Sequence, residues 1–314
     1  MSMEISEEKS HWLTIEISLL KQEHQTTEAR ITISSQLAQR TGFFEINRLK
    51  TCLRHWLPPS LSLHKRLGQD MRLRLSAADR GDSGVLSMDS EDKDLLIPDI
   101  YAYEASFQQP DHKNHTTLLA FQAAWLKRQE MMFWCGATTG IKQSCPIGSM
   151  AEFIANDQVQ TCQIFQGLKQ FDIKISRIVQ VDDSIVTQAR EWLEQHQCLA
   201  TEIDESDFTN YRHYPDLAGN GLAWGTIYKH LCRSLIFRPE SKRKLRYHTL
   251  MLPWKHYIPV NADLSDLQER HEWACINAEQ ACLIAWRGRE TVLHYLNHLN
   301  DHFSAAVVTE VELL

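Results

Sequence analysis

The chain has 314 residues, and its hydrophobic (43%) and charged (23%) fractions are those of a folded globular protein. This length predicts two domains of ordinary size and excludes one small core as the whole architecture. A net charge of −7 excludes a protein whose main task is coating nucleic acid, so no nucleic-acid partner is expected.

The N-terminus and the cysteines indicate a soluble cytoplasmic protein. No basic segment precedes an apolar core in MSMEISEEKSHWLTIEISLL, so we expect no signal peptide. No apolar run approaches the ~20 residues that a bilayer span needs. The eight cysteines are scattered without a CxxC pair, which is typical of reduced, buried thiols.

The first half of the chain alternates helical and strand patterns. Apolar residues at helical spacing predict a helix from Gln36 to Trp56, which LPPSLS should end. Residues 71–79 alternate apolar and polar side chains like a strand that ends at Asp79. A polar loop follows as far as Asp94, then the short apolar run DLLIPDIYAYE, and residues 116–131 are helical again.

The second half repeats the strand-then-helix order. An apolar strand in MMFWC runs into the loop GATTG, and residues 173–184 predict a strand that ends at two aspartates. Further predicted elements are a helix in VTQAREWLEQHQCL, strands in LIF and HYIPV, a helix over 265–274 and one or two helices over 279–303. Ser265 and Gln268 have the spacing of a capping box. This alternation favours an α/β protein built on parallel sheets.

Two glycine-bearing loops have residues suited to phosphate binding. The loop AGNGLAWG precedes a helix that starts at Thr226 and carries Lys229. Its small residues let backbone amides approach an anion at a helix N-terminus. The loop CGATTG adds two threonine hydroxyls. Either loop taken alone is more typical of an ordinary turn.

Asp94 is the main candidate for acid–base chemistry. It opens the apolar run DLLIP, and a carboxylate partly desolvated by such a run has a raised pKa that suits a general base. A turn or cap role is the commoner one for such a residue. Asp92-Lys93-Asp94 also spells DxD, a metal–nucleotide motif of one class of sugar transferases. Because it follows the polar segment SMDSE rather than an apolar strand, a metal role is not predicted.

Two further clusters favour a surface role. His294, His298 and His302 recur every four residues, which is formally compatible with zinc, but the apolar stripe beside them places the histidines on a solvated face. The basic run SKRKLR, residues 241–246, is predicted to be a solvated face rather than a site for an anionic acceptor or lipid head groups.

Four segments in one order carry a family resemblance. The strongest is LMLPWKHYIPVNADLSDL, followed by a helix and IAWRG. Upstream lie GNGLAWGTIYKHLCRSLIF, FWCGATTG and DLLIPDIYAYE, the last with Asp94 and Glu104 at Asp-x-x-x-Pro-x-x-x-x-x-Glu spacing. Together they cover most of residues 71–290 and resemble the protein O-glucosyltransferase and capsule-associated family, glycosyltransferase family ninety, which includes lipopolysaccharide-modifying members.

The resemblance implies a GT-B fold, in which two Rossmann-like domains face a central cleft. It also implies an inverting, metal-independent transfer of glucose or xylose from a UDP-sugar, which is a substrate, so no cofactor is expected. Asp94 inherits the general-base role, and Asp79, Glu104 and His256 are expected acceptor-side or supporting residues. The expected donor contacts are Gly136, Thr138, Thr139, Gly221, Ala223, Trp224, Gly225 and Lys229.

This sequence departs from the family at its arginines. Cys135, Thr138 and Ile227 stand where the family carries arginine, and an arginine fork is the usual diphosphate clamp. Lys229, Lys142 or Arg238 would have to supply the charge. A catalytically inactive, nucleotide-sugar-binding scaffold is therefore the alternative, and a DxD-type metal enzyme is the third.

The predicted organisation has three parts. Residues 1–140 form an acceptor-binding domain, residues 141–290 bind the nucleotide sugar, and the helix in 291–314 packs back on the first domain. By the same resemblance, the acceptor is a hydroxyl of a surface glycan or lipopolysaccharide made at the inner face of the membrane. This implies a cytoplasmic protein with a peripheral membrane contact.

Overall fold

The computed structural model describes residues 2–6, 14–21, 27–34, 43–78, 85–107, 117–140, 146–310 and 312–313, so the predicted residues Asp79 and Lys142 lie outside the described ranges. The strands are β1 (Ser2–Ser6), β2 (Thr14–Lys21), β3 (Thr27–Ser34), β4 (Met71–Ser76), β5 (Leu86–Ser87), β6 (Asp89–Ser90), β7 (Gln129–Ala137), β8 (Phe171–Arg177), β9 (Tyr211–Pro215), β10 (Leu235–Pro239), β11 (Lys244–Leu245), β12 (Ile258–Val260) and β13 (Glu312–Leu313). The helices are α1 (Phe43–Leu67), α2 (Ile100–Phe107), α3 (Leu118–Trp125), α4 (Met150–Ile154), α5 (Asp157–Phe165), α6 (Val186–Gln195), α7 (Thr226–Leu231), α8 (Leu267–Ile276), α9 (Ala278–Asn297) and α10 (Leu299–Glu310). Among these helices, none has the length and apolarity that a bilayer span requires.

The chain divides into two compact units, each built from separated stretches. Unit 1 comprises Met1–Phe107, Lys242–Leu250 and His294–Leu314, and unit 2 comprises Gln108–Ser241 and Met251–Leu293. The first boundary therefore falls after residue 107 rather than near the predicted 140. The reason is that β7 pairs with β8 and β9 and so belongs to unit 2.

The unit 1 sheet is mainly antiparallel. Its order is β1-β3-β2-β4-β13, with β5 beside β4, and β2 runs antiparallel to both β3 and β4. On β4 the side chains of Met71, Leu73 and Leu75 are buried while Arg74 is exposed, the alternation of a sheet with one solvated face. The prediction of a parallel, Rossmann-like N-terminal domain is wrong for these strands.

Helix α1 passes through the segment that was predicted to end it. Pro58 and Pro59 lie inside the helix, and the Ser60 hydroxyl donates to the Trp56 carbonyl at 2.7 Å. The Trp56 side chain is fully buried, and its indole N–H donates to the Pro98 carbonyl at 3.2 Å. The packing of Trp56 and the hydrogen bond of Ser60 within the helix offset the loss of the two backbone N–H donors at Pro58 and Pro59.

The unit 2 sheet has five strands, all parallel, in the order β12-β10-β9-β7-β8. Numbered from β7, this is the 2-1-3-4-5 order of a doubly wound α/β sheet. The strand order reverses between β7 and β9, and ligands of such sheets bind at this switch point, outside the carboxyl ends of the strands. The predicted α/β class with a parallel sheet is confirmed for this unit.

The start of α8 differs from the predicted capping box. Asp266 is the N-cap residue and makes no side-chain cap bond, because its Oδ1 accepts from the Asn261 amide at 2.8 Å. Asp263 accepts from the Ser265 amide at 3.0 Å, and Gln268 bonds to a glutamate within the helix. A tight acidic turn therefore replaces the Ser265–Gln268 pair.

Candidate functional site

The loop after β7 is fastened to the end of β8 by Thr138. The Thr138 hydroxyl donates to the Val179 carbonyl at 2.7 Å and accepts from the Val179 amide at 2.8 Å. The Thr138 amide donates to the Arg177 carbonyl at 3.1 Å. This buried hydroxyl serves the fold, and these bonds conflict with its predicted contact to the donor.

Asn156 joins the same loop to a helix. Its side-chain N–H donates to the carbonyls of Thr138 and Thr139, each at 3.4 Å. Its Oδ1 accepts from the amides of Gln158 and Val159, which caps α5. Sequence reasoning missed this residue, although an asparagine before a helical pattern is a known start signal.

The loop after β9, residues 216–225, is closed at its base by Asp216 and Thr226. The Thr226 hydroxyl donates to the Asp216 carboxylate, and the Asp216 amide donates to the Phe237 carbonyl at 2.8 Å. Burial raises the pKa of Asp216 to about 6, against the lowering effects of Thr226 and Arg238. Asp216 was also missed, because no strand was predicted over residues 211–215 before it.

The two predicted glycine loops meet at the switch point. The Gly140 amide donates to the Asn220 side chain at 3.4 Å, and the Gln158 side chain donates to the Ala218 carbonyl. A Cβ on Gly219 would lie 2.7 Å from the Thr139 hydroxyl oxygen, so any larger residue would have to displace that side chain. The structure therefore brings together two loops that lie far apart in the sequence.

The β9 loop leaves backbone donors available. In the part of the chain that the structure describes, the amides of Gly219, Gly221 and Ala223 donate to no backbone carbonyl. Ala223, Trp224 and Gly225 are half-buried and lead into α7. Successive amides in a small-residue loop form a concavity that suits an anion.

Gly136 and Thr139 complete the β7 side of the site. A Cβ on Gly136 would overlap the Trp134 ring, so this glycine has a packing reason of its own. Thr139 is half-buried, and its hydroxyl faces Gly219 across the junction. Of the predicted β7-loop contacts, Thr139 is the side chain best placed to reach a ligand.

The positions that lack the family's arginines carry no cation. Ile227 is 1% exposed, and the Cys135 thiol donates to the Thr201 carbonyl at 3.6 Å. The Lys229 ammonium lies 3.4 Å from the centre of the Phe208 ring and is buried, which opposes the predicted donor contact. Arg238 is the penultimate residue of β10, next to the end of β9, and its guanidinium lies 3.5 Å from the Tyr257 ring centre.

His256 has a structural place in the turn that carries the strongest family motif. Its Nδ1 accepts from the Leu252 amide at 2.8 Å. The pKa of His256 is lowered mainly by burial and, to a smaller extent, by the positive charge of Lys255. A Cβ on Gly288 would overlap the His256 carbonyl oxygen, so the IAWRG segment packs directly on this turn. Trp254 adopts a φ of 62°, which holds the turn in a left-handed conformation.

The acidic residues of unit 1 differ from the prediction. Asp94 is exposed in a 3₁₀ turn, where its amide donates to Asp92 Oδ1 at 3.0 Å, so the idea of a desolvated carboxylate is wrong for Asp94. Asp99 is the desolvated one: it is 1% exposed, its Oδ1 accepts from the Ala102 amide at 2.8 Å, and burial raises its pKa to about 6. Glu104 is half-buried on α2.

The remaining clusters are structural or solvated. Arg243 of the basic run pairs with the buried Asp89 at 2.5 Å, so this part of the run is not a plain surface. His294 and His298 are exposed and His302 is half-buried. The three do not share one helix, because α9 ends at Asn297 and α10 begins at Leu299. The solvated face predicted for the histidines is confirmed for the first two.

A parallel sheet whose small-residue loops meet at the switch point is typical of nucleotide-binding α/β proteins. The chain matches the family model described as "Glycosyl transferase family 90" over residues 119–301, more than half of its length. The chain therefore belongs to this family, which confirms the resemblance drawn from its motifs.

Two rat proteins illustrate the similarity. Protein O-glucosyltransferase 3 of Rattus norvegicus is 36% identical over 85 residues, 27% of this chain and 17% of that protein. Protein O-glucosyltransferase 1 of the same species is 28% identical over 118 residues, 36% of this chain and 30% of that protein. The chain thus spans less than a third of the length of these curated relatives.

A solved structure described as "Crystal structure of GtfA/B complex" aligns with 55% of this chain and 38% of its own chain. The two chains are 14% identical in sequence over this alignment, and the TM-score of 0.28 is too low to indicate a shared fold.

Proposed function

We propose that the chain is an inverting, metal-independent glycosyltransferase that moves glucose or xylose from a UDP-sugar to a hydroxyl of a surface glycan or lipopolysaccharide. The junction of the β7 and β9 loops at the switch point is the observation that carries this proposal. Membership of family 90 supports the reaction class. In a GT-B enzyme, unit 2 would bind the nucleotide and unit 1 the acceptor, in a cytoplasmic protein with a peripheral contact to the inner membrane.

The β9 loop is the proposed diphosphate site. The amides of Gly219, Gly221 and Ala223 donate to phosphate oxygens, and Arg238 swings from Tyr257 to supply the cation that the family places elsewhere. Stabilisation of the departing UDP by fixed donors removes the need for a metal ion.

Asp94 is the proposed general base. Its carboxylate is exposed in the 3₁₀ turn and is therefore accessible to an acceptor hydroxyl. The hydroxyl oxygen attacks the anomeric carbon, the bond to UDP breaks, and the hydroxyl proton passes to Asp94.

Transfer and hydrolysis of UDP-glucose and UDP-xylose test this role with three variants. Asp94→Asn should lower turnover by about 10²–10⁴-fold, whereas Asp92→Asn should stay near wild type. A DxD metal site would instead lose activity in both, and turnover would depend on added Mg²⁺ or Mn²⁺. Loss in Asp99→Asn but not in Asp94→Asn would move the base to the buried carboxylate.

The lack of a cation at Cys135, Thr138 and Ile227 favours a second candidate, a nucleotide-sugar-binding scaffold without turnover. Thermal shift with a panel of nucleotide sugars separates the two. Stabilisation by UDP-sugars without turnover of any donor supports the scaffold and overturns the enzyme.

A further inference from the structure

A group of two buried histidines and one half-buried cysteine lies within unit 2. His213 comes from β9, while His271 and Cys275 are one turn apart on α8. Each residue contributes one ligand-type atom, and these atoms all lie within 4.8 Å of one another. The Cys275 sulfur is 3.9 Å from Nδ1 and 3.7 Å from Nε2 of His271.

The surroundings of this group are aromatic and apolar. Trp125 and Phe237 flank His213, with ring centres 5.9 Å and 5.6 Å away. Phe171 lies 5.0 Å from the His271 ring, and the two imidazoles meet edge to face at 4.8 Å. The two imidazoles are therefore enclosed mainly by aromatic rings.

His213 is the residue that points to a ligand. It is 1% exposed, and within the described ranges neither of its ring nitrogens has a hydrogen-bond partner. Native structures seldom leave a buried polar side chain in that state. The neighbouring charge of Arg212 is paired with Glu130 at 2.7 Å and so does not fill the site.

We propose that His213, His271 and Cys275 bind one Zn²⁺ ion that links helix α8 to strand β9. Imidazole nitrogen and thiolate sulfur are ligands that zinc takes at about 2.0–2.3 Å, which places ligand atoms about 3.5 Å apart in a tetrahedral set. The ligand atoms now lie within 4.8 Å of one another, and small side-chain rotations bring them to this separation. The thiol releases its proton to solvent on binding, and water completes the coordination.

Zinc uptake by the full-length, tag-free chain tests the proposal. The protein is treated with chelator, desalted and given ZnCl₂, and bound zinc per chain is measured by mass spectrometry together with Tm. Cys275→Ala is compared with Cys162→Ala, which removes a buried thiol of α5 outside the group. We expect about one zinc per chain and a raised Tm in wild type and Cys162→Ala, and affinity at least about tenfold weaker in Cys275→Ala.

A second variant keeps the test decisive if Cys275→Ala folds poorly. His213→Phe retains an aromatic ring in the pocket, and its metal-free Tm should match wild type while zinc binding is lost. In Co²⁺-loaded wild type, a thiolate charge-transfer band should appear that Cys275→Ala lacks. Zinc uptake by a folded Cys275→Ala or His213→Phe chain at the wild-type level overturns the proposal.

Discussion

The two loops at the switch point use their polar groups in opposite ways. The β7 loop commits the Thr138 hydroxyl and the carbonyls next to Asn156 to the fold. The β9 loop is closed at its base by Asp216 and is joined to the β7 side by Gly140 and Gln158, but its glycine amides donate to no backbone carbonyl in the described part of the chain. The β7 loop thus uses these polar groups to hold the fold, whereas the β9 loop keeps glycine amides for the proposed diphosphate contacts.

The largest effect on stability should follow from removing the Thr138 hydroxyl, which holds the β7 loop in place. Thr138→Val removes both hydrogen bonds that the part-buried carbonyl and amide of Val179 make to the hydroxyl, so we expect the free energy of unfolding to fall by about 2–4 kcal/mol. Urea denaturation measures the change. Thr139→Val is the control, since its hydroxyl makes neither bond, and equal losses in the two variants would show that Thr138 is not the fastening residue.

Asp216, at the base of the β9 loop, should make the stability of the protein depend on pH. The folded pKa of Asp216, about 6, lies above the unfolded value, so the folded state keeps a proton that the unfolded chain has lost. Stability attributable to this residue is therefore greatest below about pH 4 and falls by about 2–3 kcal/mol as the pH rises to about 6. Asp216→Asn should remove this decline in denaturation midpoints, and a variant that retained the full decline would contradict the assignment.

The charge of Arg238 at the proposed diphosphate site should change the affinity for UDP rather than the stability of the fold. Arg238→Met should weaken UDP binding about tenfold, the loss expected for one charge-assisted phosphate contact. Arg190→Met, on the exposed face of α6, is the matched control. Calorimetric titration with UDP gives both constants, and equal affinities would remove Arg238 from the site.

The smallest effect should come from the junction itself. Gly219→Ala places a methyl group 2.7 Å from the Thr139 hydroxyl, which can partly rotate away, so UDP affinity should fall only about threefold. The Thr139→Ala variant lacks the obstructing oxygen, so in that background Gly219→Ala should cause no further loss of affinity. If Gly219→Ala lowers affinity equally in both backgrounds, the loops do not meet through this contact.

Sequence patterns predicted what is local in this molecule. The glycine loops and most elements of unit 2 were predicted because small residues and periodic apolar side chains act within a few positions. The meeting of the loops depends on strand order, which no local pattern encodes. Asp94 and Asp99 show the same limit: both border the apolar run, but only three-dimensional packing decides that the second is buried. Likewise, Pro58 and Pro59 end a helix in isolation but not one anchored by Trp56.

The stretches that make up unit 1 are interleaved with those of unit 2, and this has a consequence for synthesis on the ribosome. Strand β11 pairs with β6, and β13 pairs with β4, although more than a hundred residues separate the partners of each pair. Unit 1 therefore completes these pairings only after residues 312–313 have left the ribosome, when the five strands of the parallel sheet have already been made. A fragment limited to residues 119–301 would leave Arg243 and β11 without Asp89 and β6.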